Sequence, residues 1–303
     1  MKRLRKVGVV GVGLIGGSLA LALRRGGFAG QIAGFDRDAS ALERAAKLQV
    51  IDQVAESASE AARGAELVVV AVPVKALGPV MHDVGLTLDP GAVVTDVGST
   101  KAEVIETARL ELRERFARFV PGHPIAGREA SGVEAATVDL FKGARVVLTP
   151  VAGTDPKAVE LVRGAWEAAG ARVSMLDAEE HDRIFAAVSH LPHFLSFALV
   201  SEIASRADAA ELFGFAAGGF RDFTRIAASS PEMWRDIALA NREALADELA
   251  LYQGALDRLA QSLADGDGRA LEQLFARAAT ARQAWSASPT YPRTPSAPGD
   301  DDA

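Results

Sequence analysis

A chain of 303 residues has room for one large domain or two ordinary ones. Its 49% hydrophobic and 24% charged residues are globular proportions, and a net charge of −7 gives no reason to expect nucleic acid or an anionic membrane as a partner. Cysteine is absent, which excludes disulfides and thiolate metal sites and suits a reducing cytoplasm.

Imidazole chemistry is confined to His82, His123, His181, His190 and His193. The N-terminus admits two readings. Met1 to Lys6 is basic, 7–23 is uncharged, and Ala20-Leu21-Ala22 mimics a cleavage site, so a signal peptide competes with a folded element. The ordered glycines of that stretch, and the segment that continues their pattern, favour a nucleotide site.

From residue 5 to about 150, apolar runs alternate with amphipathic stretches. The runs at 6–12, 31–36, 66–73, 92–97, 118–121 and 144–150 are β-type. Several are continuous in Val and Ala, as strands buried on both faces of a parallel sheet read. Strands separated by helices predict a Rossmann-type, doubly wound α/β sheet. A helix at about 156–169 and a strand at 171–176 complete this domain, 1–177.

Strand signals stop after Asp177. The stretch 178–286 is rich in Ala, Leu and Glu at helical spacing. Pro192 is expected to kink or break the helical stretch before it. Ser230-Pro231 reads as N-cap and first residue of a helix running to about Ala264, roughly 50 Å long. Its apolar positions Ile237, Leu245, Leu249, Tyr252 and Leu256 need a further surface, and a homodimer interface is expected there. The all-helical domain, 178–287, is followed by a Ser-, Pro- and Asp-rich tail, 288–303, that reads as disordered.

Gly11-Val12-Gly13-Leu14-Ile15-Gly16 matches G-x-G-x-x-G after a strand and at a helix start. The first glycine permits a tight turn, the second a close approach of pyrophosphate, and the third close packing of helix on strand. Asp36, twenty residues after Gly16, ends the second strand, where a carboxylate can bind both ribose hydroxyls of NAD and repel the phosphate of NADP. Arg37 argues the other way, but the acidic residue comes first, and NAD is the expected cofactor. Ligands bind beyond the carboxyl ends of such strands. Three runs end there in Val72-Pro73, in Asp96-Val97-Gly98-Ser99-Thr100-Lys101, and in Gly122-His123-Pro124-Ile125-Ala126-Gly127. A serine and a histidine thus reach the edge expected to hold the nicotinamide. Ser99 and Thr100 also suit a cap for the helix that follows, and His181-Asp182 a cap at the domain junction.

With GVGLIGG (11–17), DVGSTK (96–101), GHPIAGRE (122–129), SHLPH (189–193), RDFTR (221–225) and the following Met233-Trp234-Arg235-Asp236, the chain resembles the prephenate/arogenate dehydrogenase family over about 5–286. The resemblance implies an N-terminal Rossmann domain, a helical C-terminal dimerisation domain and an active site in the cleft between them. It implies that His123 is the catalytic histidine on the substrate's ring hydroxyl, that Ser99 orients it, and that Arg225 binds the ring carboxylate. Glu129, Ser189, His190, His193, Asp222 and Trp234 match residues in or around the family's substrate pocket. No metal is implied. Prephenate and arogenate, which differ by an amine in place of a side-chain ketone, both remain open as substrates.

Two other functions share parts of this pattern. β-Hydroxyacid dehydrogenases share the glycine motif but usually employ a lysine on the helical domain, and lysine is absent here from residue 158 onward. A non-catalytic NAD-binding sensor would keep the glycines and Asp36 without needing Ser99, His123 and Arg225 together. With about six residues before the first strand and no domain-sized segment after 286, neither a fused mutase nor a regulatory domain is expected. Feedback by tyrosine would then act by competing with substrate.

Overall fold

The computed structural model describes residues 3–128 and 130–288. Residues up to Ala246 form one compact unit, and those from Asp247 a second. The first unit opens with β1 (Leu4–Val10), α1 (Leu14–Arg25), β2 (Ala29–Phe35), α2 (Ala39–Lys47), β3 (Gln53–Val54) and α3 (Ala58–Ala62). It continues with β4 (Leu67–Val70), α4 (Leu77–Thr87), β5 (Val93–Asp96), α5 (Ala102–Leu112) and β6 (Phe119–Val120). These six strands are parallel, in the order β3-β2-β1-β4-β5-β6. That is the doubly wound order, with the switch point between β1 and β4.

Successive strand residues face opposite sides of a sheet, and here both sides are covered. Val7, Val9, Leu67, Val69 and Val93 enter one core with Leu19 and Leu23 of α1. Val10, Val68, Val70 and Val94 enter the other with Met81 of α4 and Val104 and Ile105 of α5. Hence the strands read as unbroken apolar runs. Residues 7–23 form most of β1 and α1, largely buried in this sheet, as the reading of a folded element expects.

The chain then leaves the sheet. β7 (Gly122–Ile125) pairs antiparallel with β8 (Arg145–Leu148), which pairs parallel with β9 (Arg172–Met175), making a second, three-stranded sheet. β7 lies beyond the β-type run expected at 118–121, and its Gly122 and Pro124 are not strand formers. Proline is tolerated because β7 is an edge strand. α6 (Pro156–Ala168), capped by Asp155 accepting the Lys157 N–H, packs its Trp166 edge-on to Phe141, with ring centroids 5.1 Å apart.

Helices follow: α7 (Ala178–Phe185), a π turn (Ala186–His190), α8 (Leu191–Ala204), α9 (Ala209–Gly214), α10 (Gly218–Thr224), a 3-10 turn (Arg225–Ala228), α11 (Pro231–Ala240), α12 (Arg242–Ala264) and α13 (Gly268–Ala287). The break expected at Pro192 takes the form of the π turn before it. The stretch Ala178–Ala204 is long and apolar enough to cross a membrane by length and composition. It nevertheless carries His181, Asp182 and His190, all buried and hydrogen-bonded within the first unit.

The single helix expected from Pro231 to Ala264 is in fact two. Asn241 (φ −117°, ψ 33°) interrupts it, with its side chain turned inward to two acceptors described below. Ile237 and Leu245, expected at a partner surface, are buried within the protomer, whereas Leu256 is exposed. In the second unit α12 and α13 also leave Leu251, Leu263, Phe275 and Trp285 exposed. Of the expected tail, only Ser288 falls within the described residues.

Candidate active site

The glycine loop is built by steric necessity. Gly11 has φ +95°, and a Cβ there would lie 2.3 Å from the Ala71 carbonyl oxygen; one at Gly16 would lie 2.0 Å from that of Gly11. So the loop presses against the end of β4, beside Val72 and Pro73. By contrast, no described protein atom lies within 4 Å of a Cβ built on Gly13, the residue before α1. That open space faces a helix start with no side-chain cap, where N–H groups and the helix dipole favour an anion. Leu14 and Ile15, both half-buried, begin α1, and Ile15 packs against the core. The Asp36 carboxylate accepts the N–H of Val12 at 3.0 Å and of Asp38 at 3.1 Å, which fixes it beside the loop, while Arg37 is exposed. A pyrophosphate and a ribose diol fit these residues.

On the same sheet edge, β5 ends in Asp96, fully buried. It accepts the N–H of Gly98 at 2.8 Å and of Gly122 at 3.0 Å. The ammonium of Lys101, also fully buried, pairs with Asp96 and donates to the Gly122 carbonyl at 2.7 Å. Burial draws the Lys101 pKa down while Asp96 holds it up. This knot ties the start of β7 to the end of β5 and thereby places His123.

His123 is buried on β7, packed edge-on to Phe185. Its Nδ1 lies 2.8 Å from Nε2 of His181, and Nδ1 of His181 lies 2.8 Å from Oδ1 of Asp182. Asp182 also accepts the N–H of Lys101 (2.8 Å) and of Ala102 (2.9 Å), capping α5 from α7. The pKa of His123 is pushed well below its ordinary value, first by burial and then by His181, Lys101 and His190; His181 is also lowered, by burial, against the pull of Asp182. His123 is therefore neutral at pH 7.

A second layer follows. Asn241 Nδ2 donates to the Asp182 carbonyl at 2.8 Å and lies 3.1 Å from His190 Nδ1. His190 is buried, and burial lowers its pKa to about 4. Trp234 stacks on His193 with ring centroids 3.6 Å apart and meets His190 edge-on at 6.0 Å. His193 Nδ1 donates to the Ser189 carbonyl at 2.8 Å. Arg225, in the 3-10 turn, is near enough for its charge to depress the His193 pKa, after burial.

His123, His190, His193, Ser189, Trp234 and Arg225 are thus linked through one network. Ser99, half-buried at the end of β5, is not the hydrogen-bond partner of His123; His181 is. Nor do Ser99 and Thr100 cap α5, a task that falls to Asp182, because the side chain arrives from another helix with both carboxylate oxygens free to accept. Asp222 is exposed and paired with Arg221 at 3.3 Å rather than turned into this network. Glu129 lies outside the described residues. Sequence reasoning missed the hydrogen bond between His123 and His181 and the roles of Asp96, Lys101 and Asn241. Of these only Asp96 and Lys101 carried a signal, as the ends of the DVGSTK motif.

A glycine loop that fits a dinucleotide, with a buried neutral histidine held by the end of β5 in the same unit, makes the parts of a dehydrogenase. Family models place the chain more closely. Residues 19–175 match the prephenate dehydrogenase nucleotide-binding domain, and 177–277 the prephenate dehydrogenase dimerization domain. The chain is 34% identical to the cyclohexadienyl dehydrogenase of Zymomonas mobilis, over 92% of this chain and 96% of that one. It is 37% identical to the prephenate dehydrogenase of Bacillus subtilis, over 88% and 72%. The crystal structure of A. aeolicus prephenate dehydrogenase in complex with hydroxyphenyl propionate and NAD+ superposes with a TM-score of 0.87 at 36% identity, covering 93% of this chain and 98% of that one. The chain belongs to the prephenate dehydrogenase family.

Proposed function

We propose that this NAD-dependent oxidoreductase converts prephenate to 4-hydroxyphenylpyruvate by oxidative decarboxylation, the step that leads to tyrosine. The observation that carries this reading is a buried, neutral His123 at the sheet edge that holds the glycine loop. Gly11, Gly13, Leu14, Ile15 and Gly16 would hold the pyrophosphate, Asp36 the ribose, and Val72 and Pro73 would flank the nicotinamide. When bound, NAD supplies the hydride acceptor.

The protein's share is positioning, a base and anion binding. Prephenate carries a hydroxyl and a hydrogen on one ring carbon and a carboxylate on the opposite one. His123 accepts the hydroxyl proton through Nε2 as the carbon loses hydride. Carbon dioxide then leaves, its bonding electrons complete the aromatic ring, and the phenolic oxygen takes the proton back. Arg225 suits the ring carboxylate, because a guanidinium can make two parallel charge-assisted bonds. Ser99, Ser189, His190, His193 and Trp234 would line the substrate. Residues 1–177 serve the nucleotide. Residues 178–287 serve substrate and a homodimer, to which the exposed apolar residues of α12 and α13 lend support. A cytoplasmic location fits such an enzyme.

The test is NADH formation with prephenate and with arogenate in parallel. A higher kcat/KM for prephenate supports the reading. A preference for arogenate moves the substrate within the family, and no turnover with either, by a folded protein that binds NAD, overturns the reading.

A further inference from the structure

His123 presents a chemical conflict. It must accept a proton from an alcohol, yet it is buried near the Lys101 ammonium, with His190 and His181 also close. Each of these disfavours an imidazolium. The geometry behind it supplies an answer. Asp182 accepts two backbone N–H groups at the start of α5, one on each carboxylate oxygen, so both oxygens act as acceptors. It must therefore receive a proton from Nδ1 of His181, 2.8 Å away. That leaves Nε2 of His181 with a lone pair, facing Nδ1 of His123 at 2.8 Å. The proton of neutral His123 is then on Nδ1, and its Nε2 is the free base. Each tautomer follows from the one before.

We infer that His181 and Asp182 are positioning residues that hold His123 in its Nδ1–H tautomer and receive its positive charge during the reaction. When Nε2 of His123 takes the hydroxyl proton, the Nδ1 proton moves to Nε2 of His181. His123 is neutral again, and the charge rests on His181 against the Asp182 carboxylate. When the phenolic oxygen reclaims its proton, the shift reverses, so no proton is lost or gained. The charged groups around the pair are Asp182 on α7, Asp96 at the end of β5 and Lys101 before α5, with the titratable His190 on the π turn. Among them Asp182 is the anion that His181 touches. This inference rests on the proposed reaction, and it gives Asp182 two tasks, capping α5 and anchoring the relay. Variants are therefore best made at His181.

Two variants separate holding from charge transfer. His181→Gln keeps a carbonyl to accept from His123 and an amide to donate to Asp182, but cannot take a proton. His181→Leu does neither. Expected are a kcat loss of roughly 10-fold for Gln and roughly 100-fold or more for Leu, by comparison with general-base and tautomer effects elsewhere. KM for substrate and the affinity for NAD should stay within about threefold. Nitrogen NMR of the imidazoles should find His123 as Nδ1–H in the parent and in His181→Gln, and no longer so in His181→Leu. A kcat for His181→Leu within about twofold of the parent, an Nε2–H tautomer in the parent, or a loss shared equally with NAD affinity would overturn the inference. Should the parent turn over neither substrate, the proposed function falls, while the NMR result still decides whether His181 and Asp182 set the tautomer.

Discussion

Lys101→Met removes an ammonium from a fully buried position between Asp96 and the Gly122 carbonyl. The methionine fills most of the same volume, so the cost is electrostatic rather than a cavity. Asp96 keeps two backbone N–H bonds but loses its counter-charge, and the Gly122 carbonyl loses its side-chain donor. Breaking a buried pair from one side costs about 3–5 kcal/mol. We expect about 4 kcal/mol, which for a unit of this length lowers Tm by roughly 10 °C. The second variant, Asp96→Asn with Lys101→Met, removes the stranded charge and leaves at most one N–H poorly matched. It should be more stable than Lys101→Met alone, at a net cost of about 2 kcal/mol. Because the same knot places β7, kcat should fall roughly 10- to 100-fold in Lys101→Met through misplacement of His123. Urea unfolding followed by circular dichroism, with steady-state kinetics, measures both. A single variant within about 1 kcal/mol of the parent, or a double variant less stable than the single, would refute the reasoning.

Other outcomes follow from the same geometry. Gly13→Ala should leave the urea midpoint unchanged and weaken NAD at least about tenfold by calorimetry, since its Cβ meets no described protein atom and points into space meant for the cofactor. Gly11→Ala, with φ +95° and a backbone oxygen 2.3 Å away, should instead unfold at clearly lower urea. Asn241→Ala takes the side-chain donor from the Asp182 carbonyl, which keeps the Ala186 N–H, and frees His190 Nδ1; it should cost about 1 kcal/mol and raise the His190 pKa from about 4, which an NMR titration reads. Because His190 titrates near 4 when folded and near 6.5 when unfolded, its contribution is complete above pH 6.5 and is lost as pH falls toward 4. That amounts to about 3 kcal/mol for this residue, so urea midpoints should drop across that window, and less so in His190→Gln.

Much of the first domain is legible in sequence because both faces of its sheet are covered. Val68-Val69-Val70 alternates between two cores, and an unbroken apolar run is what such a strand requires. The glycine loop and Asp36 are legible for a similar reason: backbone sterics at Gly11 and Gly16 admit no side chain. What escaped detection depends on tertiary partners. β7 carries Gly122 and Pro124, turn residues by local chemistry, and becomes a strand only because β8 offers a ladder on one side. Asn241 is unremarkable in a helix until Asp182 and His190 draw its side chain inward. His181-Asp182 reads as a cap at the domain junction, and Asp182 does accept the N–H groups that open α5, but only packing beside β7 buries His181 against His123. Ser99 lay where sequence placed it, at the end of β5, but the orienting bond to His123 came from α7, far along the chain.

Whether His123 is the base of an NAD-dependent oxidation is decided by His123→Asn, measured for kcat, substrate KM, NAD affinity and urea midpoint beside the parent enzyme. Expected is a kcat lower by about 10²–10⁴-fold, with NAD affinity and stability little changed. A His123→Asn enzyme that turns over as fast as the parent would contradict it.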